Sequence, residues 1–250
     1  MKLITKDLKN KLKKLDSIEE RLDTLRNKYK GHTAYLISCG PSLSSHKMES
    51  LNSELKDELV ISIKQAYDVV SDISDFHLLN TYNLKDYEYK TDDTIVVWSV
   101  SKSYAYNQLQ KIQDKPLDIY FPVINPPYIT PQDTIAGSLN FNDMKSLGNR
   151  CEVTWGPGMF YEMMIPLCLH LGVKDIITIG WDLKVTNEHE HFYKEKMDCK
   201  PQIGELEQAV NSTESFYDWC GENNINLKII SDVNEVDKRF ERIKLEDINA

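Results

Sequence analysis

Leu36-Ile37-Ser38-Cys39-Gly40-Pro41-Ser42-Leu43 and, far downstream, Ile176-Ile177-Thr178-Ile179-Gly180-Trp181-Asp182 decide the fold. Each is an apolar, strand-like run that breaks into a glycine-containing turn. A second Gly-rich turn, Thr154-Trp155-Gly156-Pro157-Gly158, opens the helical stretch that leads into the later run. Turns of this kind at the start of a helix leave backbone N–H groups facing outward, which suits a phosphate. Two such segments in one alternating pattern point to a nucleotide-handling α/β protein. Its reactive groups should lie on loops at the carboxyl ends of the strands.

The intervening sequence keeps the alternation. Strands are expected at Thr33–Ser38, Leu59–Ile63, Phe76–Leu79, Thr94–Val100, Leu117–Phe121, Ile176–Ile179 and Leu227–Ile230. Helices are expected after Ser38 to about Leu55, near Tyr104–Ile112, over Pro157–Leu171, over Glu205–Cys220 and over Val236–Ile243. Pro166 should kink the Pro157–Leu171 helix, and Gly172 should close it in a left-handed cap. Asn125-Pro126-Pro127 and Thr130-Pro131 mark a long loop, reaching about Asn140. Strands alternating with helices over this length predict a Rossmann-like, doubly wound, mostly parallel sheet.

Residues 1–30 read differently. Leu8, Leu12, Leu15, Ile18, Leu22 and Leu25 recur at spacings of three and four among charged residues, the pattern of one amphipathic helix. Three uses of that helix are open: a homo-oligomer contact, a basic membrane-surface helix, or packing on its own domain. Lys9, Lys11, Lys13 and Lys14 favour the membrane; Asp16, Glu19, Glu20 and Asp23 oppose it. The expected organisation is therefore an N-terminal helix over 1–30 and a single Rossmann-like nucleotide-binding domain over 31–250.

The chain has 250 residues and a formal net charge of −9, which argues against a general nucleic-acid binder. Its five cysteines include no C-x-x-C pair and fit a reducing compartment better than a disulfide framework. No apolar run approaches a membrane span. The reading is a cytoplasmic protein, with peripheral membrane contact as the alternative.

Several residues could carry chemistry. Gly40 lets backbone approach closely, and Ser42 can cap a helix or bond a phosphate. The turn Cys39-Gly40-Pro41-Ser42 is neither a P-loop nor a G-x-G-x-x-G turn. Lys64 and Gln65 end the second strand, and Asn80 follows the third, where side chains can meet phosphate, ribose or base. Thr154, Trp155, Gly156, Pro157 and Gly158 form the helix start best suited to an anion. After Asp182 comes Asn187-Glu188-His189-Glu190-His191-Phe192-Tyr193. His191 suits a general base, because histidine titrates near neutral pH. A metal site built on His189 and His191 and a plain polar loop are the competing readings.

Taken together, these pieces resemble the bacterial sialyltransferases of glycosyltransferase family 42. Ser38-Cys39-Gly40-Pro41-Ser42-Leu43 is similar to that family's first nucleotide-binding turn. Thr154 to Asp182 is similar to its second segment, and Asn80 falls where the family has a donor-binding Asn. His191, followed by an aromatic residue, resembles its catalytic base. The resemblance implies a CMP-activated acidic sugar, of sialic acid or Kdo type, transferred with inversion and without metal or cofactor to a glycan or glycolipid acceptor. It places His191 as base and Asp182 as a ribose or substrate contact or a helper that orients the site. The family has a phosphate-stabilising Tyr where this chain has Lys184, and Asn where it has Cys39. The stretch between Asp182 and His191 is also shorter than the family's lid. The 6-hydroxymethylpterin diphosphokinase-like proteins share the G-P-S turn and the Gly-x-Asp segment. They carry an acidic metal motif where this chain has Leu79-Asn80-Thr81-Tyr82. A non-catalytic nucleotide-binding protein is the third possibility.

Overall fold

The computed structural model describes residues 3–4, 6–81, 85–90, 92–101, 105–123, 159–184, 191–193, 203–231 and 234–248. Its centre is an eight-stranded sheet in which every neighbouring pair is parallel. The strands are β1 (Thr33–Ile37), β2 (Leu59–Ile63), β3 (Phe76–Asn80), β4 (Ile95–Ser101), β5 (Ile119–Val123), β6 (Asp175–Ile179), β7 (Asn226–Ile230) and β8 (Glu241–Arg242). Their order is β5-β4-β3-β2-β1-β6-β7-β8. The inner strands are mostly apolar on both faces, as expected where both faces are covered. β2 is buried at all five positions, and β1 from Ala34 onward. The doubly wound α/β expectation therefore holds.

The order has one reversal. Strands step outward from β1 to β5, and β6 then returns to the other side of β1. Ala34 thus pairs with Leu59 on one flank and Ile176 on the other. In open parallel sheets the reversal leaves a crevice at the carboxyl ends of the two strands that flank it. Here those strands are β1 and β6, the two runs quoted at the outset.

The segment over 6–25 is two helices rather than one: α1 (Lys6–Lys13) and α2 (Ile18–Leu25). Ser17 starts the second. Its hydroxyl accepts from the Glu20 N–H at 3.1 Å, and the Glu20 carboxylate accepts from the Ser17 N–H at 3.2 Å, a capping box. The apolar stripe joins the main core: Leu12, Leu22 and Leu25 are buried. A stripe buried in its own domain is not available as a membrane or dimer contact. Polar anchors reinforce the docking. Lys9 Nζ donates to the Thr94 carbonyl at 2.6 Å and pairs with Asp118 at 3.2 Å. His170 Nε2 meets the Leu22 carbonyl at 2.7 Å.

Three more helices follow: α3 (Met48–Glu54), α4 (Ala66–Val70) and α5 (Ala105–Lys111). A π-helical turn over Phe160–Met164 leads into α6 (Ile165–Leu171), and α7 runs over Ile203–Glu222. Pro166 does not kink the middle of a helix. It sits in the first turn of α6, after a widened turn in which Ile165 N–H reaches the Phe160 carbonyl. Pro166 has no N–H of its own to donate, and widening the turn accommodates that loss. Gly172 closes α6 at φ +82°, as expected. The helix expected over 236–243 is absent. The chain there makes a turn, the short β8 and a 3₁₀ turn at Leu245–Asp247.

Among the described residues no helix is long and apolar enough to cross a membrane. The loop read from Asn125 to Asn140 lies outside the described residues.

Candidate functional site

The β1–β6 pairing does not stop at the strand ends. Ser38 N–H donates to the Ile179 carbonyl and Gly40 N–H to the Gly180 carbonyl, both at 2.8 Å. Two backbones that close leave no room for side chains. A Cβ on Gly40 would sit 2.4 Å from the Gly180 oxygen and 2.6 Å from Asp182 Oδ2. Gly180, at φ +76°, would place one 2.5 Å from the Ser38 oxygen. Both glycines are demanded by this contact, and it forms the floor of the switch-point crevice.

Asp182 locks that floor. It is 1% exposed and accepts three hydrogen bonds. Ser42 N–H and Ser42 Oγ–H reach it at 2.6 Å each, and Ser231 Oγ–H at 2.8 Å. One carboxylate thereby ties together the ends of β1, β6 and β7.

These bonds overturn one expectation. The N–H groups of Gly40, Ser42 and Leu43 all have partners inside the protein, and Pro41 has none to offer. Pro41–Ser45 is a 3₁₀ turn of five residues, too short to act as an anion-binding helix start. The turn thus forms a rigid floor instead of offering free donors to a phosphate. The Cys39 side chain also faces inward. It is 4% exposed, donates to the Ile63 carbonyl at 3.4 Å, and burial pushes its thiol up to about 11.

Other expected residues stand around the floor. Lys64 and Gln65 follow β2, and Asn80 is the last residue of β3. Lys64 has left-handed backbone, φ +42°, as does Leu183 after β6, φ +48°. The remaining described non-glycine residues with positive φ are Asn27 and Asn224, a type that tolerates it. Both costly cases therefore lie on the carboxyl edge of the sheet, where such strain tends to cluster with function. Lys184 pairs with Glu235 at 3.1 Å. Phe192 N–H donates to the Cys39 carbonyl at 2.9 Å, which brings the half-buried His191 to the β1 turn. The His191 ring lies 5.0 Å from that of Tyr193.

Trp181 anchors the other wall. Its ring stacks on Phe160 at 4.1 Å and 11°, with edge contacts to Tyr161, Phe216 and Phe240. The π-helical turn supplies Phe160 and Tyr161, so the widened turn fastens α6 to the crevice. Thr154, Trp155, Gly156, Pro157, Gly158 and His189 lie outside the described residues.

Two residues were missed from sequence. Ser231 is a polar residue directly after the apolar β7, the same signal that marked Asp182. His77 interrupts the apolar run of β3, and a histidine inside a buried strand needs partners for both ring nitrogens. Two clefts lined by described residues lie elsewhere. One, of about 750 Å³, is lined by Arg26, Lys30, Gly172 and Lys174 among others, and a second of about 500 Å³ adjoins Asp175, Asn226 and Lys228. Both lie toward the amino ends of β6 and β7, away from the residues just described.

Fold and site together define a doubly wound α/β protein with a braced crevice at its switch point. No protein-family model matches the chain, and no curated protein does. Among solved structures it is similar to that of the MAf glycosyltransferase from Magnetospirillum magneticum AMB-1, at 12% identity and a TM-score of 0.44. The match covers 92% of this chain and 38% of that one, so the chain spans well under half of that protein's length. A likeness this distant transfers no chemistry.

Proposed function

We propose that the chain is a glycosyltransferase that binds a CMP-activated acidic sugar, of sialic acid or Kdo type, in the β1/β6 crevice. The acceptor is a glycan or lipid-linked hydroxyl. The Phe192–Cys39 hydrogen bond carries this reading, because it sets a histidine beside the floor of a switch-point crevice. His191 takes the acceptor's hydroxyl proton as that oxygen attacks the anomeric carbon. The bond from that carbon to the CMP phosphate breaks, and its electron pair leaves on the phosphate. Attack opposite the leaving group inverts the anomeric centre. Lys64 and Lys184 stand at the crevice edge as cations for the developing phosphate charge, a form of electrostatic stabilisation. Lys184 must exchange Glu235 for the ligand, at small cost for a half-exposed pair. Asp182, Gly40, Ser42 and Ser231 hold the floor and do not react. Gln65 and Asn80 are assigned to ribose and base, and residues 154–158 to the phosphate.

A thermal-shift panel of CMP, CDP, CTP, UDP, GDP and ATP, with and without Mg²⁺, tests the reading. The expected result is a CMP-selective shift that survives EDTA; a ligand at 100 times its Kd adds about 2.7 kcal/mol. An ATP response that requires Mg²⁺ would instead support diphosphokinase-like pyrophosphoryl transfer. CMP binding with no cleavage of any CMP-sugar would leave a binding protein.

A further inference from the structure

His77 is fully buried on β3, and both its ring nitrogens are engaged. Nε2 lies 2.9 Å from the Lys64 carbonyl, and Nδ1 lies 2.8 Å from the Tyr89 hydroxyl. A carbonyl can only accept, so Nε2 carries the proton and Nδ1 accepts from Tyr89. The ring stacks on Tyr67 at 4.4 Å and 18° and meets the edge of Tyr87 at 4.6 Å. The bonded carbonyl belongs to the lysine whose backbone is left-handed. Lys64 N–H donates to Leu78 at 3.0 Å, and the Lys64 carbonyl also accepts from Tyr67 N–H at 3.2 Å. Both backbone polar groups of this residue are thus engaged while its backbone is held in the left-handed region, which a lysine rarely adopts. Such strain persists only where surrounding structure imposes it, and the His77 ring, the Leu78 carbonyl and the Tyr67 N–H are the groups that hold it.

We propose that His77 is a positioning residue: it fixes the left-handed turn at Lys64 and so sets where this lysine meets the donor's phosphate. The link to phosphate rests on the CMP-sugar reading; the link to the turn does not.

Two measurements separate them, on wild type, His77→Phe, Lys64→Ala and the double variant. Phe keeps the ring stack and removes both hydrogen bonds; Tyr89→Phe, which removes only the hydroxyl, serves if His77→Phe fails to fold. Without ligand, the Lys64 and Tyr67 amides of His77→Phe should exchange hydrogen about tenfold faster than wild type, above any global change. With CMP, His77→Phe should weaken binding about tenfold in the wild-type background and less than about twofold with Lys64→Ala. Unchanged exchange at both amides overturns the positioning role. Equal loss of affinity in both backgrounds overturns its action through Lys64. Wild-type protein that binds no CMP overturns the donor reading instead, and the exchange result still decides the role at the turn.

Discussion

Asp182 shows how a buried carboxyl group is satisfied by hydrogen bonds. Three donors surround it, and two belong to Ser42. Asp182→Ala would leave them all without an acceptor, so urea unfolding should show a loss of about 3 kcal/mol or more, against about 1 kcal/mol for Ser231→Ala. Gly40→Ala inserts a methyl group 2.4 Å from the Gly180 oxygen. The β1 and β6 ends must part, and a loss of about 1–3 kcal/mol is expected by the same measurement. His77 makes a pH prediction. Burial lowers its pKa from 6.5 to about 3, so between those values the unfolded chain binds a proton that the native state refuses. Stability is complete above about pH 6.5 and falls with decreasing pH, by up to about 1.4 kcal/mol per unit. Between about pH 7.5 and pH 5, wild type should lose about 2 kcal/mol more than His77→Phe, read from urea midpoints. At this scale the sequence was partly legible. Gly40 and Asp182 stand out because they break apolar runs. The partners of Asp182 do not, because Ser231 joins it only through β-strand neighbours remote in sequence.

Secondary-structure elements were legible where hydrophobic period decided them. The seven longer strands lie where the apolar runs put them, and Gly172 ends its helix as a glycine should. Two errors have physical causes. Periodicity ran on through residues 6–25, but Ser17 and Glu20 cap a new helix, a local signal that outranks the continuing stripe. The apolar spacing over 236–243 is that of residues packing onto a sheet edge, where Val236 and Phe240 are buried without a helix. The two N-terminal helices also yield a prediction. Leu25 is fully buried in the main core, so Leu25→Ala should cost about 2–5 kcal/mol of stability in urea unfolding. A membrane or dimer arm would show almost no loss in the soluble monomer.

The strand order sets where the proposed site lies in the whole molecule. A single reversal at β1 and β6 brings together two segments separated by most of the chain. Sequence pattern predicted that such segments exist and that both end in tight turns. It did not predict that the first turn's N–H groups would be consumed in bracing the crevice, because that depends on which carboxylate arrives from β6. The switch point is therefore a braced floor, with Lys64 after β2, Lys184 after β6 and His191 beside the β1 turn. The most direct test compares wild type with His191→Ala for cleavage of a CMP-activated acidic sugar in EDTA, with CMP affinity measured on both proteins. The expected result is a rate at least about 100-fold lower in the variant with CMP affinity unchanged. Undiminished turnover by His191→Ala, or wild-type protein that neither binds CMP nor cleaves the donor, would contradict it.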